Sequence, residues 1–306
     1  MIQINVKDET SPLEAVVLGS AYSFGGIPKL EEAYDPKSLE HIKAGTYPNE
    51  EDMLLEMQAF DKVFKKYGVE VYRPKNIENC NQIFARDVAF VIDNTFVKSN
   101  ILPDRENELD AIGFIIDEIN PENVIRPNPE VHIEGGDVML WQNYILVGTY
   151  HGEDYADYIT ARTNAAGVDF LKRQFPNRIV KELDLKKSRI NARENALHLD
   201  CCFQPVGSQS GIIHKEGFRK PADYEFLVDL FGHQNLFHID AEEMYHMNSN
   251  VFSIAPDVVV IEQNFDRLSD WLVSKKFKVE KIPYAEIAKQ EGLLRCSTLP
   301  LRRTDV

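Results

Sequence analysis

An apolar hairpin, a helix-like stretch and one further short strand recur as a unit along this chain, and that recurrence restricts the fold more than any other feature. Hairpins are read at DVAFVIDNTFVKS from Asp87, DVMLWQNYILVGTY from Asp137, HLDCCFQPVGSQSGII from His198 and SNVFSIAPDVVVIEQ from Ser249, with turns at DN, QN, GSQSG and APD. Their starts lie roughly 50 to 60 residues apart. Single strands follow the intervening helices at VEVYRP, NVIRP, RIVKELDL, LFHID and FKVEKIP. PLEAVVLG near the start and LLRCSTLPL near the end complete one more hairpin, so about five units close into a ring sealed by pairing the two ends of the chain.

No Pro/Gly/Ser-rich linker divides the chain, which reads as one domain over residues 1–306. The stretch NEEDMLLEMQAFDKVFKKYG predicts a helix with an acidic first turn, lysines in its last turn and Gly68 as its stop; its Met and Phe stripe is core. The segment SAYSFGGIPKLEEAYDPKSLEHIKAGTY, residues 20–47, has the least strand character and is expected over the mouth of the ring. The four cysteines, two of them adjacent, lack zinc-type spacing and do not form a disulfide framework, which favours a reducing, cytoplasmic setting. No signal sequence or membrane-spanning run is present, so no membrane association is expected. A formal net charge of -15 disfavours nucleic acid and favours a small cationic partner. A homo-oligomer is compatible with this sequence.

Polar residues costly to bury gather at the starts of the repeats: Asp87 in FARDVAF, Glu134 and Asp137 in HIEGGDVML, His198 and Asp200 in NALHLDCCF, and Cys296 in the last unit. Singly, such an Asp is a turn or cap residue, such a His a satisfied core residue, and Cys296 a small buried apolar one. Equivalent placement in four repeats argues instead for convergence near the ring axis. A nucleophilic cysteine needs a base or positive neighbour, for which His198 and Arg295 are candidates. Four carboxylates in one pocket need a cation among them, and a guanidinium meets that need with five donors that match carboxylates in bidentate pairs. Asp87 and Asp200 can clamp such a group against Cys296. Alternation along a strand would put His198 and Asp200 on one face.

Taken in order, ARD, IEGGDV, ARTNAAG, HLDCCF and RCSTLPL resemble the guanidino-group-modifying superfamily of arginine deiminases, dimethylarginine dimethylaminohydrolases and amidinotransferases. The resemblance covers nearly the whole chain and implies a five-bladed α/β propeller. It implies Cys296 as nucleophile, His198 as general acid and base, Glu134 as its carboxylate partner, and Asp87 and Asp200 as the guanidinium clamp, with Asp137 also on the substrate side. By the hydrolase pattern Arg162 contacts the substrate carboxylate; otherwise it is a surface salt-bridge residue. The chemistry implied needs no cofactor and no metal.

An arginine deiminase-like hydrolase is the favoured reading, because RCSTLPLRRTDV and TARTNAAG resemble hydrolase segments. SPLEAVVLG and the helix after it resemble amidinotransferases, which makes transfer to an amine the alternative. The chain has no room for the extra helical insertion of arginine deiminases, which weakens free arginine as the substrate. Two further readings compete: a zinc hydrolase using His132, Glu134, His198, Asp200 or Cys201, which lacks an HExxH or PCxxC pattern, and a degenerate guanidino-binding protein, against which the intact Cys296, His198 and Glu134 count. GSQSG is a hairpin turn, not a serine-hydrolase elbow.

Overall fold

The computed structural model describes residues 1–33 and 35–304; Tyr34, Asp305 and Val306, which belong to the expected domain of residues 1–306, lie outside the described residues. Strands β1 (Leu13–Leu18) and β2 (Glu70–Tyr72) lie in a first sheet, and β3 (Ala89–Ile92), β4 (Thr95–Lys98) and β5 (Val124–Ile125) form a second. A third holds β6 (Val138–Trp141), β7 (Tyr144–Thr149) and β8 (Ile179–Asp184). A fourth holds β9 (Phe203–Val206), β10 (Ser210–Ile213) and β11 (Leu236–His238), and a fifth β12 (Phe252–Ala255), β13 (Val258–Glu262) and β14 (Lys278–Ile282). The last strand, β15 (Thr298–Arg303), returns to the first sheet.

Every sheet contains an antiparallel pair whose second strand is joined in parallel by a third after a helical crossover. The result is a mixed α/β fold whose five three-stranded sheets fit a pseudo-fivefold arrangement. The expected sealing of the ends is present: β1 and β15 pair antiparallel from Leu13 opposite Arg303 to Leu18 opposite Thr298. Asn5 bridges to Arg302 and Val6 to Asp93, tying the N-terminal residues to the first two sheets.

The turns follow from backbone chemistry. Asp93 and Gln142 take positive φ in the tight hairpins, as the DN and QN signals imply, and Gly207 does so in GSQSG. Helix Glu50–Lys66 is capped by Asn49, which accepts from the Asp52 N–H, and the chain leaves it through Gly68 at φ 69. Its Met53, Met57, Phe60 and Phe64 are buried, as expected of a core stripe. Phe60 stacks on Phe64 with centroids 4.4 Å apart and meets Phe252 and Tyr284 edge-on at 5.8 and 5.7 Å. One apolar cluster therefore joins this helix to the fourth and fifth sheets, and a second gathers Ile2, Phe90, Phe96, Ile115 and Leu299 around the second and third. No helix among the described residues is long and apolar enough to cross a membrane.

One expectation is corrected. The polar residues stand on short turns before the first strand of each unit, not on the strands: Ala85–Val88, Gly135–Asp137 and Leu199–Cys201 are single helical turns. His198 is the extended residue that opens the last of these, so strand alternation does not govern it and Asp200. A helical turn does not hold residues i and i+2 on one face as a strand does, so His198 and Asp200 reach different partners.

Phe60→Ala should lower stability by about 3–5 kcal/mol through the cavity it leaves. Urea unfolding would show this as a drop in the transition midpoint; an unchanged midpoint would mean that helix Glu50–Lys66 does not hold the ring together.

Candidate active site

The five turns deliver one polar centre apiece. Asp87, Asp137, Asp200, Asn250 and Cys296 each stand one to three residues before β3, β6, β9, β12 and β15, and all five are buried. Cys296, Asp87 and His198 share the wall of a cavity of about 600 Å³, and its outer wall includes Phe24, Ile27, Pro28 and Asp35. The described residues of segment 20–47 thus contribute to the wall of the cavity that holds the thiol. Glu78, Asp104 and Glu291 also line the cavity, which makes it acidic.

His198 is set by two carboxylates. Its Nε2 lies 2.8 Å from Glu134 Oε2 and its Nδ1 3.7 Å from Asp87 Oδ1. Burial works against its charge, but Asp87, the hydrogen bond to Glu134 and the nearby Asp137 carry its pKa above the ordinary value of an imidazole. Burial also works against the charge of Glu134, which Arg162, the His198 bond and Arg105 nevertheless hold at about 2. Because ionised Glu134 only accepts, the His198 proton sits on Nε2. The glycines of IEGGDV make this approach possible: a Cβ on Gly136 would lie 2.6 Å from His198 Cγ, and one on Gly135 2.1 Å from the Arg86 carbonyl oxygen.

The ARTNAAG segment clasps the same loop. Arg162 Nη1 donates to both Glu134 oxygens at 3.3 and 3.2 Å and Nε to the Ile159 carbonyl at 2.6 Å. Arg162 is therefore neither a surface ion pair nor an unpaired cation. Thr163 donates its hydroxyl to Asp137 at 2.6 Å, and Asp137 also accepts from the Leu199 N–H at 2.9 Å. Both oxygens of Asp137 are thus spent on bracing the His198 turn, and Asp137 does not line the cavity.

At Cys296 the thiol donates to Asp200 Oδ2 at 3.5 Å, and the same oxygen accepts from Arg295 Nη1 at 2.9 Å. Arg295, fully buried, also bonds Glu9 and the Val138 carbonyl, so it acts on Asp200 and not on the sulfur. Burial, Asp200 and Asp87 push the Cys296 pKa well above the ordinary thiol range, leaving an S–H in the substrate-free site. Asp87 Oδ2 accepts from Arg105 at 3.0 Å, while Asp87 Oδ1 is buried with no hydrogen-bond partner among the described residues. An unmet acceptor beside a neutral thiol calls for a cationic donor.

Asp87, Glu134 and His198 could together hold a metal ion, whereas His132 and Cys201 lie outside that group. Arg162 and Arg105 already supply positive charge there, with Arg105 3.9 Å from Glu134. Three further residues belong to this buried cluster without having been expected there from the sequence. Asn250 had a legible signal, since it occupies in SNVFS the place that Asp87 and Cys296 occupy in their units. Arg105 and Glu108, joined by a twofold hydrogen bond of 2.6 and 2.8 Å, sit in PDRENELD, which is indistinguishable from a solvated helix start.

The eukaryotic N,N dimethylarginine dimethylhydrolase family model matches residues 41–303. The uncharacterized protein YkgA of Bacillus subtilis (strain 168) is 25% identical over 246 residues, 77% of this chain and 78% of that protein. The arginine deiminase of Listeria monocytogenes serotype 4a (strain HCC23) is 24% identical over 264 residues, 74% of this chain but only 62% of its own length. Among solved structures, the product-bound N-terminal domain of ArgZ, an arginine dihydrolase from cyanobacteria, aligns with a TM-score of 0.76 at 16% identity over 94% of this chain and 97% of its own. SxtG, an amidinotransferase from Microseira wollei, aligns with a TM-score of 0.76 at 17% identity over 99% of this chain and 98% of its own. At these identities the structural likeness shows the fold. With its motifs, its central thiol and a family match running from residue 41 to residue 303, this chain belongs to the N,N dimethylarginine dimethylhydrolase family of the guanidino-modifying superfamily.

Proposed function

We propose that this chain, as a single five-bladed α/β propeller domain, hydrolyses the guanidino C–N bond of arginine or a related guanidino compound to a ureido product. The observation that carries this reading is the buried Asp87 Oδ1, which has no hydrogen-bond partner among the described residues, on the wall of the cavity that also holds Cys296 and His198. A guanidinium N–H satisfies that oxygen. Seated there, the planar group lays its central carbon over Cys296 Sγ; Asp200, whose Oδ2 is 3.5 Å from that sulfur, does not line the cavity, so its part in the clamp requires the substrate to reach past the thiol. Its positive charge reverses the field that keeps the thiol protonated, so the nucleophile forms when substrate binds.

The steps follow from the proton inventory. As the thiol proton leaves, Cys296 Sγ bonds to the guanidinium carbon, and the His198 imidazolium protonates the departing amine as its C–N bond breaks. An amidino-thioether cation remains on Cys296. Neutral His198 then takes a proton from water, whose oxygen bonds to the same carbon. The C–S bond breaks, the hydroxyl proton of the collapsing intermediate passes to the departing sulfur to restore the thiol, and the ureido product is released; the one proton given to solvent is the thiol proton lost on attack. Arg162 keeps Glu134 ionised so that His198 can stay charged, and Asp137 positions the turn that carries His198. In this reading Asp137 supports the machinery without touching the substrate, while Arg162 supports it and also lines the cavity beside His198 and Cys296.

Cys296→Ala and Cys296→Ser should abolish turnover, while alanine at Cys80, Cys201 or Cys202 leaves activity. Acid quenching with substrate should place an added mass on the peptide carrying Cys296, and that adduct should decay in buffer with oxygen from labelled water entering the product. An adduct that waits for an amine acceptor would make the protein an amidinotransferase; no adduct would end both readings. Chelation by EDTA should leave the rate intact, and loss restored by zinc would count against a metal-free site. Because the imidazolium is the acid, kcat falls as pH rises through the elevated His198 pKa. Glu134→Gln removes an interaction that favours the charged ring, so the alkaline limb of kcat should move to lower pH by about 1 unit or more. A limb that stays in place would remove Glu134 from its role.

A further inference from the structure

We infer that Asn250 is a member of the catalytic set, the hydrogen-bond donor that receives the Cys296 sulfur as a thiolate. Its carboxamide spans the nucleophile: Oδ1 accepts from the Cys296 backbone N–H at 3.1 Å, and Nδ2 lies 3.1 Å from Cys296 Sγ. The orientation is fixed by that backbone bond. Reversing the amide would set its NH₂ against the Cys296 N–H, donor against donor, so the group facing the sulfur is the donor.

The surroundings hold the amide in place. Asn250 is fully buried, its N–H donates to the Met247 carbonyl at 2.9 Å, and its own carbonyl accepts from the Arg295 N–H at 3.4 Å. Met247, at φ 67, bends the chain into the turn that precedes β12. Nδ2 also reaches the Asp200 carbonyl at 3.4 Å, which the Ser249 hydroxyl approaches at 2.9 Å. The side chain is thus tethered at both ends of the carboxamide before any substrate arrives, so no ordering cost falls on the reacting complex.

Two side chains of opposite effect hydrogen-bond the sulfur among the described residues, and the Leu293 backbone also favours its thiolate. Asp200 takes the thiol hydrogen at 3.5 Å and, as a carboxylate, opposes a thiolate. Asn250 is the one of the two that gains when the proton leaves, since an N–H pointing at an anion makes a stronger bond than one pointing at a neutral thiol. In the pseudo-fivefold arrangement it is the uncharged counterpart of Asp87, Asp137 and Asp200. Had the fourth unit supplied a carboxylate as well, the thiol would face acidic groups from every side.

This inference rests on Cys296 as the reacting group, and it is tested separately from the choice of substrate. The full chain is compared with Asn250→Asp, which keeps the acceptor for the Cys296 N–H, and Asn250→Leu, which keeps the bulk and removes the donor; thermal melting identifies the folded proteins. Iodoacetamide alkylation at Cys296, followed by peptide mass without substrate over an alkaline pH series in which the parent thiol begins to ionise, should slow at least tenfold in both. With substrate, kcat should fall about 10²- to 10³-fold with KM little changed, as for loss of one preorganised donor. In Asn250→Asp the loss should deepen as pH rises. A folded variant of either kind that alkylates and turns over within twofold of the parent would overturn the proposal. Slowed alkylation in a protein that hydrolyses no guanidino compound would retain Asn250 as the thiolate donor and remove only the substrate reading.

Discussion

Two buried carboxylates flank a buried thiol at the centre of this protein, and each is tolerable there because it keeps its own arginine. Asp87 accepts from Arg105 at 3.0 Å and Asp200 from Arg295 at 2.9 Å. Removing one partner of such a pair costs about 3–5 kcal/mol, because the charge left behind cannot be solvated. Both arginines are anchored a second time, Arg105 by Glu108 and Arg295 by Glu9. The carboxylates are therefore fixed in position, yet Asp87 Oδ1, 3.7 Å from His198 Nδ1, has no hydrogen-bond partner among the described residues. That mismatch is what gives the site its demand for a cation.

The ring delivers these groups to one place. Each unit ends its crossover with a strand and then turns once before the next hairpin, and the turn is where the polar residue stands. Pairing of β1 with β15 brings the Cys296 turn beside that of Asp87, where the Arg86 N–H donates to the Cys296 carbonyl at 3.0 Å. Residues more than two hundred positions apart in the chain become neighbours through one closure. The apolar clusters do the remaining work by packing the helices outside the sheets, so the centre stays polar without forfeiting the core.

Much of this is written in the sequence as periodicity. The hairpins at Asp87, Asp137, His198 and Ser249 are legible because β-branched runs alternate with strong turn signals, and ring closure follows from the unpaired strands at the two ends. Local geometry is less legible. Leu199–Cys201 forms a turn where an extended strand was read, since nothing in HLDCC signals a backbone reversal. Partner choice is the least legible. Arg162 is expected to meet a substrate carboxylate; the fold pairs it with Glu134 and also sets it on the cavity wall, while Asp137 accepts from Thr163 and the Leu199 N–H. Arg105 carried no signal at all, because an arginine in an acidic helix start has the same appearance whether it faces solvent or Asp87. Asn250 was readable from the symmetry of the units and was missed because asparagine before a strand is an ordinary turn residue.

Under the proposed hydrolysis, Cys296 stays protonated until a guanidinium occupies the cavity. Thiolate absorbance near the far edge of the ultraviolet measures this directly, with Cys296→Ser subtracted to isolate the one sulfur. At pH 8 the free protein should show no Cys296 thiolate, and saturation with a small alkylguanidine should produce one equivalent together with the release of one proton. A thiolate already present in the free protein at neutral pH, or none on binding, would contradict the account.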